Sequence, residues 1–553
     1  MKNWIENNQP IQNDVESLSK TLKIPQFICN LLLQRNINSL QVAQDFFRPS
    51  FDKLYDPFLM KNMDKVVRKI ENSKSEKIMI LGDYDVDGTT STALLYKYFS
   101  DRGFNISYYI PDRYKEGYGV STESIEYAEN NDISLIITVD CGIKAVSEVK
   151  LANSKEIDII ICDHHLPSDE MPNAHAILNP KQSDCKYPFK ELCGCAIAFK
   201  IIMAHNQLSS NPVDILEYLD LVALATISDM MPLENENRIM VFYGIKSINE
   251  KPRVGLRNFI KSINGPIDES KVSFSIGPRI NAAGRMKNAK IVVDLLIEED
   301  INKANILSNN IELLNQNRWE AEKNVVFEAE KQLVKNSFSN IVYSKNWSKG
   351  VLGIVASRLI EQSYKPTVVF TNSDEKFVTG SVRSVNGFNV YKALSSCKDN
   401  IFQYGGHKYA AGLTVKKADL NNFKIKFEKI VKQSANGKMF QKTISYDLNI
   451  NFSELTIKNL KIISRMSPFG LGNKRPVFRS NNCIIEDNLK FIGKQSQILK
   501  SFVKDDSGIK LPFISFNHNN NLKLNTNIDI LYTVNINTYS GKEQIELVIK
   551  EAN

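Results

Sequence analysis

The chain has 553 residues, too many for one hydrophobic core, so two to four domains are expected. With 42% hydrophobic and 24% charged residues it has the composition of a folded globular protein, which excludes wholesale disorder. A net charge of +8 and a pI near 8.8 allow a polyanionic partner without demanding one.

Residues 1–60 read as a polar, partly helical arm. Its first residues lack the hydrophobic centre of a secretory signal. No later run approaches the ~18–20 apolar residues of a membrane span, so a cytoplasmic location is expected.

An α/β domain over residues 61–300 carries the chemistry. Three apolar runs in it each stop at an acid or an acid–histidine cluster. Lys77–Leu81 ends in Gly82-Asp83-Tyr84-Asp85-Val86-Asp87-Gly88, Leu135–Val139 in Asp140-Cys141-Gly142, and Ile157–Cys162 in Asp163-His164-His165. Short apolar runs spaced by helix-like segments predict buried parallel strands, and ligand sites of open α/β sheets form at the carboxyl ends of such strands. That many like charges on one edge require cations, and two are expected. Carboxylates with imidazoles and no convergent thiolates select manganese or magnesium over zinc. Leu219–Ile227, followed by Ser228-Asp229, brings a further acid. Two ions roughly 3.5–4 Å apart, bridged by a shared carboxylate, are suited to hydrolysing a phosphate ester.

Asp83-x-Asp85-x-Asp87-Gly88 also fits the first half of a calcium loop. Position 12 would be Leu94 where that loop needs Glu, and a strand precedes it where a helix belongs. Asp158 and Asp169 are read as turn or surface residues. Eight cysteines in so long a chain make no disulfide framework; Cys193-Gly194-Cys195, the one close pair, reads as buried free thiols. A Gly-x-x-x-x-Gly-Lys-Ser/Thr loop is absent, which argues against an ATP-driven motor and a nucleotide cofactor.

Between Glu298 and Asn336 there is no Gly or Pro, and apolar residues recur at helical spacing, which predicts a connecting helix over residues 301–337. A second α/β lobe, residues 338–440, carries Ser381-x-Arg383 and Gly405-Gly406-His407. Paired glycines let backbone N–H groups approach a phosphate, and an arginine beside them binds it bidentately; alone, such a loop also fits a plain turn. His407 has two readings, a contact to phosphate or a brace of its own loop. Residues 441–553 hold short alternating runs split at Asp505–Gly508, 517–521 and 540–541, which predict a small barrel or sandwich. Lys474, Arg475, Phe491, Lys494 and Lys500 are its candidate DNA contacts. Because the metal acids lie upstream, deleting this region is expected to weaken binding of long strands while leaving catalysis intact.

The acid motifs, with Ser228-Asp229, resemble the four motifs of the DHH phosphoesterase superfamily, and Gly405–Gly412 resembles the signature of the DHH-associated domain. Pro111–Gly119, Gly277–Met286 and Pro468–Asn473 are similar to segments of its single-stranded-DNA exonuclease branch, in order along nearly the whole chain. The resemblance implies two α/β lobes joined by a long helix, with a C-terminal β-barrel of the OB type. It implies Asp85, Asp87, Asp140, His164 and Asp229 as metal ligands, with Asp140 bridging two Mn2+ or Mg2+ ions. Asp83 supports the first ion, and Asp163 and His165 orient or polarise the ligands. Arg113, Arg279, Arg285, Ser381, Arg383, Gly405, Gly406 and His407 hold the terminal 5′ phosphate and the backbone behind it. The implied activity is 5′→3′ degradation of single-stranded DNA to 5′-mononucleotides in recombination and repair. A single-strand-binding protein and a helicase are the implied partners of a monomer. Two rival readings are a DHH phosphoesterase of short oligonucleotides or cyclic dinucleotides, and a non-catalytic replication scaffold.

Overall fold

The computed structural model describes residues 3–435, 440–486, 488–492, 498–516, 522, 524–539 and 542–553. The candidate Lys494 lies outside them. No helix among the described residues is long and apolar enough to cross a membrane.

The three apolar runs are the middle strands of a five-stranded parallel sheet, in the order Ile106–Tyr109, Ile78–Gly82, Leu135–Val139, Asp158–Cys162, Ala176–Leu178. Their side chains alternate between two cores. Ile78, Ile80, Leu135, Ile137 and Ile160 pack under the helices Val86–Ser100, Gly194–Leu208 and Leu219–Ser228. Met79, Leu81, Ile136, Ile159 and Ile161 pack on the other face, with Ile125 and Val149 from the helices Thr122–Asn130 and Val146–Ser154. Burial on both faces is why the runs read as continuously apolar rather than alternating. Gly82 pairs with Val139 and Val139 with Cys162, so the next residues, Asp83, Asp140 and Asp163, leave the sheet side by side.

The connecting helix runs Ile301–Glu330, about 45 Å at 1.5 Å per residue, with Asp300 capping its start. It stops short of the predicted end because Gln332 is drawn into the second lobe. There the Gln332 side chain hydrogen-bonds both the N–H and the C=O of Tyr343. That lobe is a five-stranded mixed sheet in the order Gln403–Gly406, Ala410–Lys416, Phe377–Arg383, Thr367–Asn372, Asn340–Tyr343.

Among the described residues, the C-terminal region forms a seven-stranded sheet, and Ile484 of the strand Phe478–Ile484 also pairs with Lys504 of Ile498–Lys504. All eight cysteines are free and buried. The N-terminal arm is not a separate appendage. Asn3–Glu6 pairs in parallel with Thr443–Tyr446, and Val15, Leu18, Ile28, Leu31 and Leu32 share one core with Phe452, Phe478, Tyr532 and Leu547.

That shared core corrects the expected clean separation of holding from cutting. Deleting residues 441–553 exposes five arm side chains whose burial is worth about 1.5–3 kcal/mol each. The truncated chain should aggregate or lose cooperative melting. A monomeric, cooperatively unfolding truncation, judged by size-exclusion chromatography and calorimetry, would contradict the shared core.

Candidate metal centre and phosphate cleft

Each metal-ligand candidate is held by a different local device. Asp85 N-caps the helix Val86–Ser100 through Gly88 N–H, and a carboxylate oxygen of it lies within 4.8 Å of ligand atoms of Asp83 and Asp140. Asp87, in the first turn of that helix and buried, accepts hydrogen bonds from the N–H groups of Gly194 (2.6 Å) and Cys195 (2.7 Å), the first residues of the helix Gly194–Leu208. Asp140 sits in left-handed backbone at φ 61°, against Gly194, where an added Cβ would lie 2.7 Å from the Asp140 Cβ. Asp229 closes the end of the helix Leu219–Ser228.

These groups converge. His164 Nε2 lies 3.1 Å from Asp140 and 3.7 Å from both Asp87 and Asp229. Asp83, Asp85 and Asp140 form a second group of ligand atoms, and Asp140, His164 and His165 a third. Burial raises Asp83, Asp87 and Asp140 above the ordinary carboxylate range, and repulsion from neighbouring aspartates adds to it. The same causes bring Asp229 to about 8. Asp83 Oδ1 and His164 Nδ1 are buried without a hydrogen-bond partner. Crowded, desolvated carboxylates and orphaned donor atoms fit divalent cations, and the all-oxygen and imidazole donor set fits manganese or magnesium.

Asp163 differs from the others. Its oxygens accept from the N–H groups of Ile143, His164 and His165 and from the His165 ring at 2.8 Å. Burial raises its carboxyl, but these bonds and the charge of His165 outweigh it and hold it below the usual range. Asp163 therefore shapes the loop that aims His164. Tyr118, which sequence reasoning missed, donates to the Asp140 carbonyl at 2.9 Å and lies 3.2 Å from His165 Nδ1. It stands between Gly117 and Gly119, both at positive φ, and that Gly-Tyr-Gly pattern was the available signal.

The cationic side comes from both lobes. Arg113 stacks on the Tyr84 ring, and Arg285 donates to the Gly350 carbonyl. Arg383 donates to Ser381 Oγ and the Val382 carbonyl. Burial lowers Arg285 to about 10, with repulsion from Arg113, Arg318 and Arg383 adding to it; Arg383 is lowered by burial and by Arg113. Arg113 lies over the ring of Tyr84, between Asp83 and Asp85 in the chain, and Gly284 packs on the Tyr84 carbonyl, so both arginine segments border the acid loop. Arg318 on the connecting helix adds to the positive field at Arg285, but its guanidinium is itself paired with Glu322 at 2.5 Å.

Arg279 is engaged with Glu312, the Ser275 carbonyl and Ser262. The helix Gly277–Met286 matters here through its glycines. An added Cβ at Gly284 would meet the Tyr84 carbonyl at 2.4 Å, and one at Gly277 the Ser228 Oγ at 2.9 Å. Gly405, Gly412 and Ser381 lie on one rung of the second sheet. Nothing within 4 Å would meet a Cβ on Gly405, so an open strip borders Ser381. Gly353, also missed, starts the helix Leu352–Gln362 beside Arg383 Nη2, 2.7 Å from where its Cβ would stand. The His407 side chain is exposed and its N–H closes the hairpin onto the Ala410 carbonyl.

Residues 77–226 match the DHH family N-terminal domain, 336–433 the DHHA1 domain and 446–551 the RecJ OB domain. The single-stranded-DNA-specific exonuclease RecJ of Bacillus subtilis is 35% identical over 559 residues, covering 99% of this chain and 70% of the relative. The chain belongs to the RecJ family. The RecJ of Escherichia coli K12 is 30% identical and covers 97% of both chains. The fold of RecJ from Thermus thermophilus, solved with Mn2+, superposes with a TM-score of 0.86 at 24% identity, covering 100% of this chain and 79% of that one. A manganese-bound exonuclease RecJ, 30% identical, gives 0.60 over 68% of this chain and 95% of that one.

Proposed function

We propose that the chain is a metal-dependent exonuclease that degrades single-stranded DNA from its 5′ end to 5′-mononucleotides. The observation that carries this reading is the convergence of Asp87, Asp140 and Asp229 on His164, with the Arg113 guanidinium seated over the ring of Tyr84, between Asp83 and Asp85 in the chain. Asp85, Asp87, Asp140, His164 and Asp229 would hold two Mn2+ or Mg2+ ions, with Asp83 in support. Bound there, such ions activate water and stabilise a leaving oxygen. Asp163, His165 and Tyr118 fix the Asp140 and His164 loops. Arg383, Ser381 and Arg113 grip a terminal phosphate, and Arg285 extends the positive field. The open strip at Gly405 and Gly412 lets the strand backbone lie close to the sheet.

Family membership does not favour the reading as a phosphoesterase of short or cyclic oligonucleotides, or as a non-catalytic scaffold. A single-strand-binding protein and a helicase are proposed partners, since both govern access to single strands.

The test uses end-labelled single strands in manganese. A 5′ label should appear at once as mononucleotide while a 3′ label yields a descending ladder; the reverse pattern would remove the 5′ assignment. A 5′ overhang should be trimmed and a blunt duplex should resist, because single strands thread a cleft closed to a duplex. Equal rates on blunt and single-stranded ends would sink the cleft model.

A further inference from the structure

Asp229 lies on a loop that the C-terminal region clasps. Its N–H closes onto the Ala225 carbonyl, Met230 turns the chain at φ 56°, and Met231 N–H returns to Thr226. Two residues further on, Leu233 donates its N–H to the carbonyl of Leu471 at 2.7 Å, a bond spanning 238 positions in sequence. Gly470 has no room for a side chain, since its Cβ would stand 2.7 Å from Leu233 Cδ1 and 3.0 Å from Cγ. Gly472, at φ +80°, lies against Pro232 and Glu234.

The turn that makes these contacts is fixed from both sides. Gly470 and Asn473 exchange backbone hydrogen bonds, and buried Asn473 donates to the carbonyls of Met466 and Pro468. Arg238, on the helix Asn235–Glu250 that follows the Asp229 loop, donates to Met466, Ser467 and Pro468 and also to Phe46 of the arm. One guanidinium thus joins the metal lobe, the arm and the C-terminal region, with no carboxylate in direct contact among the described residues. Burial lowers it to about 10.

We infer that the turn Pro468–Asn473 is a positioning element for Asp229, so that the metal centre is complete only with the C-terminal region docked. This rests on the proposed role of Asp229 as a ligand. The metal lobe supplies the acid, and a segment some 240 residues later holds its loop. Displacing Leu233 tilts the loop away from His164 and Asp87 and weakens cation binding, as disturbing the support of a metal ligand does.

The experiment titrates Mn2+ into the full-length protein, following free Mn2+ by electron paramagnetic resonance, without DNA. Gly470→Val drives three carbons into Leu233 and should weaken Mn2+ binding about tenfold, the lower end of such losses. Leu233→Ala alone leaves Mn2+ affinity near wild type. The double variant Gly470→Val/Leu233→Ala restores the three-carbon balance and should recover affinity. Phe478→Leu, in the same C-terminal core but outside the turn, should lower the melting temperature without changing Mn2+ binding. Wild-type affinity in folded Gly470→Val, or a loss in Phe478→Leu as large, overturns the inference. Asp229→Ala separates the two readings: if it binds Mn2+ as wild type does, the ligand assignment has failed and the inference with it, whereas a loss there with none in Gly470→Val refutes the coupling alone.

Discussion

Asp140→Asn abolishes turnover while leaving the protein folded and able to bind DNA. Metal-assisted stabilisation of a phosphoryl transition state is worth several kcal/mol, and each ~1.4 kcal/mol is tenfold, so the rate should fall by about three orders of magnitude or more. Asparagine is the right replacement because position 140 sits in left-handed backbone, which Asn tolerates. The metal-free variant should melt higher than wild type. Burial raises the Asp140 carboxyl above the usual range and repulsion from Asp87, Asp85 and Asp83 adds to it, so a neutral amide there relieves both costs. Stabilisation by added Mn2+ should shrink in parallel, and thermal melts with and without the ion read both effects. DNA affinity should hold or rise, since a negative charge has left a polyanion site. Asp87→Ala should lose activity equally but also lose stability, because the N–H groups of Gly194 and Cys195 lose their acceptor, at about 1–3 kcal/mol for each unsatisfied group. Near-normal turnover of Asp140→Asn in manganese would place the chemistry elsewhere.

Arg383→Ala discriminates against 5′-phosphorylated ends. A charge-assisted phosphate contact is worth ~1.5–3 kcal/mol, so affinity for a 5′-phosphorylated strand should fall roughly tenfold to a hundredfold. The Arg383 Nη1 is already oriented by Ser381 Oγ and the Val382 carbonyl, which makes Ser381→Ala a milder version of the same defect. A 5′-hydroxyl strand should be affected little, and competition binding with the two strands measures the difference. Equal losses on both would move Arg383 to the backbone path. Without DNA the variant should be at least as stable as wild type, because Arg113 and Arg285 lose a like-charged neighbour.

The parallel sheet and its edge of acids were legible because both are local. An apolar run of strand length followed at once by Asp needs no distant residue to be recognised, and parallel pairing in register then brings Asp83, Asp140 and Asp163 level. The connecting helix was legible for the same reason, from spacing and the absence of Gly and Pro, although its last turn yields to the Gln332 contacts with Tyr343. Tertiary structure alone decided that two backbone N–H groups of Gly194 and Cys195 carry Asp87, that Arg279 turns to Glu312, and that the Asp229 loop is braced by Leu471. It also decided that the first helices of the arm complete the core of the last domain. Hydrophobic periodicity reports which face of an element is buried, but not against what. Contacts between residues hundreds of positions apart leave no local pattern, so those partners emerge only when the chain is packed.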